Sequence, residues 1–203
     1  MQKISIPENK WKFLAKGKRS QVYTSIFKKK KVVIKVYKDT RDLKNLAANE
    51  AKNLILLNKY GIGPRIIYHD SKKIIYYFVQ GQKILDYLKS AKITDIKTTI
   101  KKTLDICFVL DNLNINKKEM SHPTKHILIN KNKISFIDFE RASNAKKPKN
   151  TSQFYDFLLS KTIKEILEKK KIKINKDLKF IRNYKLNQNK KTYEELIENI
   201  FVK

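Results

Sequence analysis

Val32-Val33-Ile34-Lys35 ends a β-branched run on a lysine, and fifteen positions later Glu50 sits among residues with helical spacing. Further along, Ile137-Asp138-Phe139-Glu140 sets an aspartate at the end of a second apolar run. Runs rich in Val and Ile suit the pleated, half-buried surface of a sheet, so both are read as strands. Around Glu50, Leu46, Ala47, Leu54 and Leu57 recur at three- and four-residue intervals, which predicts a helix over about 43–60 with Gly61 at its end. Taken singly, each polar residue has an ordinary reading: a strand lysine usually faces solvent, and an aspartate after a strand often caps a turn. Their order along the chain carries the information.

Upstream, residues 11–15, 21–27 and 32–37 predict three short strands in an antiparallel meander, separated by lysine-rich turns. Downstream, Gly61-Ile62-Gly63-Pro64 forces a turn, strands are predicted over 65–69 and 73–79, and Ile84, Leu85 and Leu88 begin a helical pattern after Gln80-Gly81-Gln82. The second half opens on a long predicted helix over 95–113, whose Ile100, Leu104, Cys107, Phe108 and Asp111 form one stripe. A loop over 114–125 leads to strands over 126–129 and 134–137, joined by Asn130-Lys131-Asn132-Lys133. A loop over 144–150 follows, then a helix over 153–169 packing Phe154, Phe157, Leu158 and Ile166, and a last helix over 194–201. There is no internal repeat, and the lysine run 169–173 reads as a solvated turn.

At 203 residues the chain suits one compact unit with room for two lobes. The lone Cys107 has no internal disulfide partner, which fits a reducing, cytoplasmic setting. The longest apolar stretch, Ile74 to Val79, falls far short of the roughly 20 residues that span a bilayer. Met-Gln-Lys-Ile-Ser at the start lacks a signal-type apolar region, so no membrane role is expected. The net charge of +28 would attract polyanions such as RNA or a ribosomal particle. A generally solvated lysine surface explains it as well, because nearly all of that charge is lysine, with arginine only at positions 19, 41, 65, 141 and 182. Arginine is the preferred residue for bidentate base-edge contacts, so DNA sequence specificity is not expected.

On these residues the chain resembles the eukaryotic-like protein kinase superfamily, in particular the compact archaeal predicted serine/threonine kinases related to the Rio kinases and to the small kinase of the tRNA-modification complex. The likeness covers residues 10–160. Gly17-Lys18-Arg19-Ser20-Gln21-Val22-Tyr23 resembles the loop that covers nucleotide phosphates, and Val33-Ile34-Lys35 the strand bearing the phosphate-binding lysine. Glu50 matches the helix glutamate that holds that lysine, and Phe78-Val79-Gln80-Gly81 the hinge beside adenine. Asp138-Phe139-Glu140 is similar to the Asp-Phe-Gly segment and keeps its metal-binding aspartate. The implied fold is α+β and bilobal. It has a small antiparallel β lobe with one helix over about 1–80, a hinge at about 78–82 and a reduced, mainly helical lobe over 83–203, together a single protein-kinase-like domain.

The resemblance implies ATP and Mg2+ as cofactors. Lys35 and Glu50 would clamp phosphates under the turn of Gly17, Lys18 and Ser20, while Val22 would close over the adenine and Phe78, Val79 and Gln80 would lie beside it. Asp138 would hold Mg2+ with His126 beside it, and His122 would neutralise charge or guide the acceptor. The catalytic loop departs from the family pattern: in Glu119-Met120-Ser121-His122-Pro123-Thr124-Lys125-His126, Ser121 falls at the catalytic aspartate and His126 at the second-metal asparagine. No long activation segment or Ala-Pro-Glu motif follows, so control by loop phosphorylation is not expected. Three functions stay open on these residues. They are an ATP-dependent serine/threonine kinase acting on a protein substrate, a nucleotide-binding pseudokinase or RNA- or ribosome-associated module, and a small-molecule kinase.

Overall fold

Residues 12–37 are rich in lysine and in β-branched and aromatic residues, a composition that suits strands. The structure, a computed structural model, describes residues 4, 6–38 and 45–202, and the chain divides into two compact units. The first comprises residues up to Gln80 together with Ser135–Ala142. Its sheet contains β1 (Lys12–Lys16), β2 (Ser20–Phe27), β3 (Lys30–Tyr37), β4 (Ile66–His69) and β5 (Lys73–Tyr77), ordered β1-β2-β3-β5-β4 with every neighbour antiparallel. The central strand β3 buries Val32, Val33, Ile34 and Lys35 in succession, which is why it reads as a continuous apolar run. Edge strand β1 is exposed throughout and bracketed by Lys12 and Lys16, charges that discourage further pairing.

Period-two alternation divides the residues of β3 between two faces. Val32 and Ile34 join Ile6 and Ile75 in a cluster bordered by Trp11, Tyr23 and Tyr77. Val33, Lys35 and Tyr37 alternate with them. Helix α1 (Leu46–Asn58) packs on β3, β4 and β5 and buries Ala47, Glu50, Ala51, Leu54 and Leu57. Its expected start at Leu43 lies outside the described residues. Gly63 closes the turn after α1 at φ +80°, and a Cβ there would stand 2.7 Å from the Leu54 side chain, so glycine is required.

The second unit comprises Gly81–Ile134 and Ser143 onward. It holds β6 (Gln82–Lys83), α2 (Ile84–Ser90), α3 (Ile93–Asn112), β7 (Ile115–Asn116), β8 (Ile127–Asn130), the start of β9 (Lys133–Phe136), β10 (Ser143–Asn144), α4 (Asn150–Leu159), α5 (Lys161–Lys169), α6 (Leu178–Leu186) and α7 (Lys190–Glu198). Helix α3 buries Ile96, Ile100, Leu104, Cys107, Leu110 and Asp111 along one stripe. Phe108, on its flank, stacks on Tyr193 of α7 with ring centroids 4.1 Å apart. Among the described residues no helix is long and apolar enough to cross a membrane.

Several expectations are corrected in this unit. The single helix expected over 153–169 is two, because Ser160 is extended (φ −60°, ψ 147°) between α4 and α5. Its cause is a change of buried face: Phe154, Phe157 and Leu158 face the core in α4, Ile163 and Leu167 in α5, and the step from 158 to 163 breaks the helical period. Ile166, expected inside, is only half-buried. Helix α6 has no counterpart among the expected elements, although Asp177 caps it by accepting from the Lys179 N–H at 2.9 Å. The last helix lies earlier than expected, over Lys190–Glu198, capped by Asn189 accepting from the Thr192 N–H at 3.0 Å.

Candidate functional site

The Lys35 ammonium sits at the centre of the first unit's polar interior. It donates to Glu50 Oε2 at 2.9 Å and to Asp138 Oδ1 at 2.7 Å, and it pairs with Glu140 Oε2 at 2.9 Å. Each partner is delivered by a different element. Lys35 comes from the middle of β3, Glu50 from the buried face of α1, and Asp138 and Glu140 from the segment that follows β9. Glu50 is fully buried, and both its oxygens are engaged. The Tyr37 hydroxyl donates to Oε2, and the Phe139 N–H donates to Oε1 at 3.1 Å. Tyr37 reaches Glu50 because it lies two residues beyond Lys35 on the same face of β3.

The segment bearing Asp138 is held as firmly as Glu50. Asn49 Nδ2 donates to the carbonyls of Glu140 at 2.7 Å and Ala142 at 2.9 Å, tying the segment to α1. Arg19 reaches Glu140 Oε1 at 3.7 Å. Asp138 adopts φ +66°, a left-handed conformation uncommon for a non-glycine residue. Such backbone strain persists only where surrounding contacts impose it, and it concentrates at functional sites.

The electrostatics follow from three carboxylates around one ammonium. Burial pulls the Lys35 ammonium down, but Glu50, Tyr37 and Asp138 outweigh it and hold the group well above the ordinary lysine value. Burial pushes the Glu140 carboxyl up; Lys35 draws it back, Asp138 pushes it up again, and the net shift is upward. Tyr37 and Tyr76 are both raised by burial first and Glu50 second. A carboxyl whose folded pKa exceeds its unfolded value stabilises the fold fully below the ordinary carboxylate range, and that stability is lost as pH rises through the raised value. Glu140→Gln should therefore melt a few degrees above wild type at pH 8, with the gain shrinking as pH falls toward the carboxylate range. Scanning calorimetry across that range checks it, and an equal or larger gain at the acid end would refute the assignment.

The other candidates are placed as follows. Gly17 begins a tight turn in which its N–H donates to the Ser20 carbonyl at 2.8 Å. A Cβ at Gly17 would meet Ser20 O at an ordinary 3.5 Å, so nothing among the described residues demands glycine there. Lys38 ties this turn to β3, donating from Nζ to the Lys18 carbonyl at 2.8 Å and from its N–H to the Arg19 carbonyl at 2.9 Å. Ser20 is buried and Val22 half-buried in β2. Phe78 pairs with β3 through its N–H to the Lys31 carbonyl at 3.0 Å, with the Lys31 ammonium 4.2 Å from its ring centroid. Val79 is half-buried and Gln80 exposed.

In the second unit, His126 Nε2 lies 3.2 Å from Glu119 Oε2, and Ser121 Oγ lies 3.2 Å from His122 Nδ1. Lys118 and Glu119 both have positive φ, +63° and +60°. Tyr37, Asn49, Glu119 and Glu140 are not among the residues expected at the site; Tyr37 has a signal in its two-residue spacing from Lys35, and Glu140 in its place beside Asp138-Phe139.

One oxygen each from Glu50, Asp138 and Glu140 lie within 4.8 Å of one another around the Lys35 ammonium; with both Glu50 oxygens engaged, Asp138 and Glu140 are the two that offer the oxygen ligands a hard divalent cation takes. The fold that holds this lysine, glutamate and Asp-Phe segment is protein-kinase-like, as a likeness to a solved structure shows. Among solved structures the chain is similar to the Rio2 kinase–ADP/Mg2+–phosphoaspartate complex from Chaetomium thermophilum, with a TM-score of 0.57 and 16% identity over 80% of this chain. The match spans 57% of that kinase's own chain. No protein-family model and no curated protein sequence matches the chain.

Proposed function

We propose that the chain is an atypical phosphotransferase that uses ATP and Mg2+ to phosphorylate serine or threonine in a protein substrate. The observation that carries this reading is the Lys35 ammonium bridging Glu50 and Asp138 at 2.9 and 2.7 Å, with Asp138 held at φ +66°. Phosphoryl transfer asks little covalent work of the protein, and positioning and charge stabilisation provide most of the rate. Lys35 is preorganised for phosphate oxygens because Glu50, fixed by Tyr37 and the Phe139 N–H, holds its ammonium in place. Asp138 and Glu140 are the residues that would hold Mg2+, which when bound supplies positive charge against the oxygens of the transferred group. With nucleotide bound, Lys35 would offer its ammonium to phosphate oxygens while Glu50, at 2.9 Å, would keep it oriented, and Asp138 and Glu140 would be left to the metal. In the sequence resemblance Ser121 falls at the catalytic aspartate, and a serine hydroxyl is a far weaker base than a carboxylate, so slow turnover is expected.

A specific observation favours a second reading, a pseudokinase that binds nucleotide without turnover: Ser121 and His126 replace the expected aspartate and asparagine, and His126 is engaged by Glu119. The net charge of +28 supports an acidic or RNA-bearing partner under either reading. Transfer from γ-labelled ATP to mixed protein acceptors, with and without Mg2+, separates the two. The kinase reading expects Mg2+-dependent transfer that drops by about 10²–10³-fold in Asp138→Asn. Nucleotide binding without transfer would favour the pseudokinase, and no nucleotide binding would overturn both.

A further inference from the structure

In Asp138-Phe139-Glu140 a glutamate stands where the resembled Asp-Phe-Gly segment has its glycine. The structure gives that side chain a definite place. Glu140 is only 7% exposed, and its two carboxylate oxygens meet different cations: Oε2 lies 2.9 Å from the Lys35 ammonium, and Oε1 lies 3.7 Å from the Arg19 guanidinium. Lys35 comes from β3 and Arg19 from the turn between β1 and β2. Lys38 ties that turn to the end of β3 through its N–H to the Arg19 carbonyl and its ammonium to the Lys18 carbonyl. The β2–β3 register, with Ser20 opposite Tyr37 and Val22 opposite Lys35, carries the turn along the strand that bears the ammonium. Both cations are therefore set by the same sheet.

Two cations converging on one buried carboxylate make a subsite for an anion. A phosphate suits the same pair, because its oxygens accept from an ammonium and from the fork of a guanidinium together. In this structure the chain's own Glu140 fills the subsite. Asn49 Nδ2 holds the Glu140 carbonyl at 2.7 Å, which keeps the main chain on α1 while the carboxylate turns about its side-chain torsions. It has a second place to go. An oxygen of Glu140 and one of Asp138 lie within 4.8 Å of each other, and oxygen ligands of that kind suit a hard cation.

We propose that Arg19 and Lys35 form a subsite for a nucleotide phosphate, and that Glu140 occupies it as an internal competitor until its carboxylate turns to Mg2+ beside Asp138. Binding of ATP and of Mg2+ is then coupled. Without metal, Glu140 lowers the apparent ATP affinity by the fraction of time it holds the subsite. With metal, Glu140 becomes a ligand and both cations are left to phosphate. The inference rests on the ATP site proposed above, to which it adds Arg19 and a metal requirement for binding itself.

Isothermal calorimetry of the full chain with ATP, in Mg2+ and in EDTA, tests it. Wild type should bind at least about tenfold more weakly in EDTA, and Glu140→Gln should recover about tenfold in EDTA. In an Arg19→Gln background the same substitution should recover about threefold or less, because the guanidinium that it would release is gone. The Arg19 side chain is 29% exposed, and circular dichroism checks that each variant folds. Should the double variant not fold, wild type and Glu140→Gln decide between them. Equal wild-type affinity in the two media, or no gain in Glu140→Gln, would overturn the proposal and leave the ATP site standing. So would a gain undiminished by Arg19→Gln, since removal of one negative charge would then explain it. Wild type that binds ATP in neither medium would overturn this inference and the phosphotransfer reading together.

Discussion

Lys35→Ala is expected to remove about 3–5 kcal/mol of folding stability, the usual cost of deleting one partner from a buried ion pair. The loss belongs to this end of the range because Lys35 neutralises three carboxylates at once, bonding Glu50, Asp138 and Glu140 at 2.9, 2.7 and 2.9 Å. Glu50 is fully buried and Glu140 nearly so, and without the ammonium they repel each other in a low-dielectric interior. Adding Glu140→Gln to Lys35→Ala should restore part of the loss, and a double-mutant cycle in urea reads the coupling. A loss under about 1 kcal/mol, the scale of an exposed ion pair, would show that the cluster is hydrated and not a buried clamp. The consequence for enzymology is direct. Lost transfer in Lys35→Ala confounds phosphate binding with unfolding, so Asp138→Asn, in a side chain about one-third exposed, is the cleaner probe of chemistry.

The second large effect is expected in the other unit, at Asp111 near the end of α3. Its carboxylate accepts from the Asn150 N–H at 3.0 Å, Asn150 Nδ2 at 2.7 Å, the Thr151 N–H at 3.1 Å and the Tyr184 hydroxyl at 2.9 Å. Helix α4 receives no side-chain cap from its own flanking Lys149, so Asp111 supplies both the cap and the negative charge from a distant helix. Asn150 extends the network, accepting from the Lys117 N–H at 2.8 Å and donating to the Ile115 carbonyl at 2.6 Å. Asp111→Ala leaves several buried donors unsatisfied at about 1–3 kcal/mol each before relaxation, so a loss of roughly 3–5 kcal/mol is expected. Urea unfolding measures the total. Hydrogen exchange should show protection falling first at the opening turn of α4, and unchanged protection there would sink the capping assignment.

Burial explains why the two clusters differ in how visible they are in the sequence. Lys35, Glu50 and Asp138 interrupt apolar runs, and a charged residue inside a strand or at its end is conspicuous. Asp111 lies on a helical stripe with Leu104 and Cys107, where spacing shows only that it faces inward. Nothing in its neighbours tells that Asn150, Thr151 and Tyr184 wait there, because those partners lie between 39 and 73 positions away.

Local periodicity by itself determined the five strands of the first sheet, the helix bearing Glu50 and the long helix α3, because a repeat of two or of three to four residues states which face is buried. It also determined which charged residues interrupt those repeats. Tertiary structure alone decided that Glu140 joins Lys35, that Tyr37 and the Phe139 N–H fix Glu50, that α4 and α5 part at Ser160, and that α6 forms with only Ile181 and Tyr184 buried. Each of these depends on a group brought near by the fold, and the energy of a buried charge or an uncapped helix end is set by such neighbours, which spacing along the chain does not record.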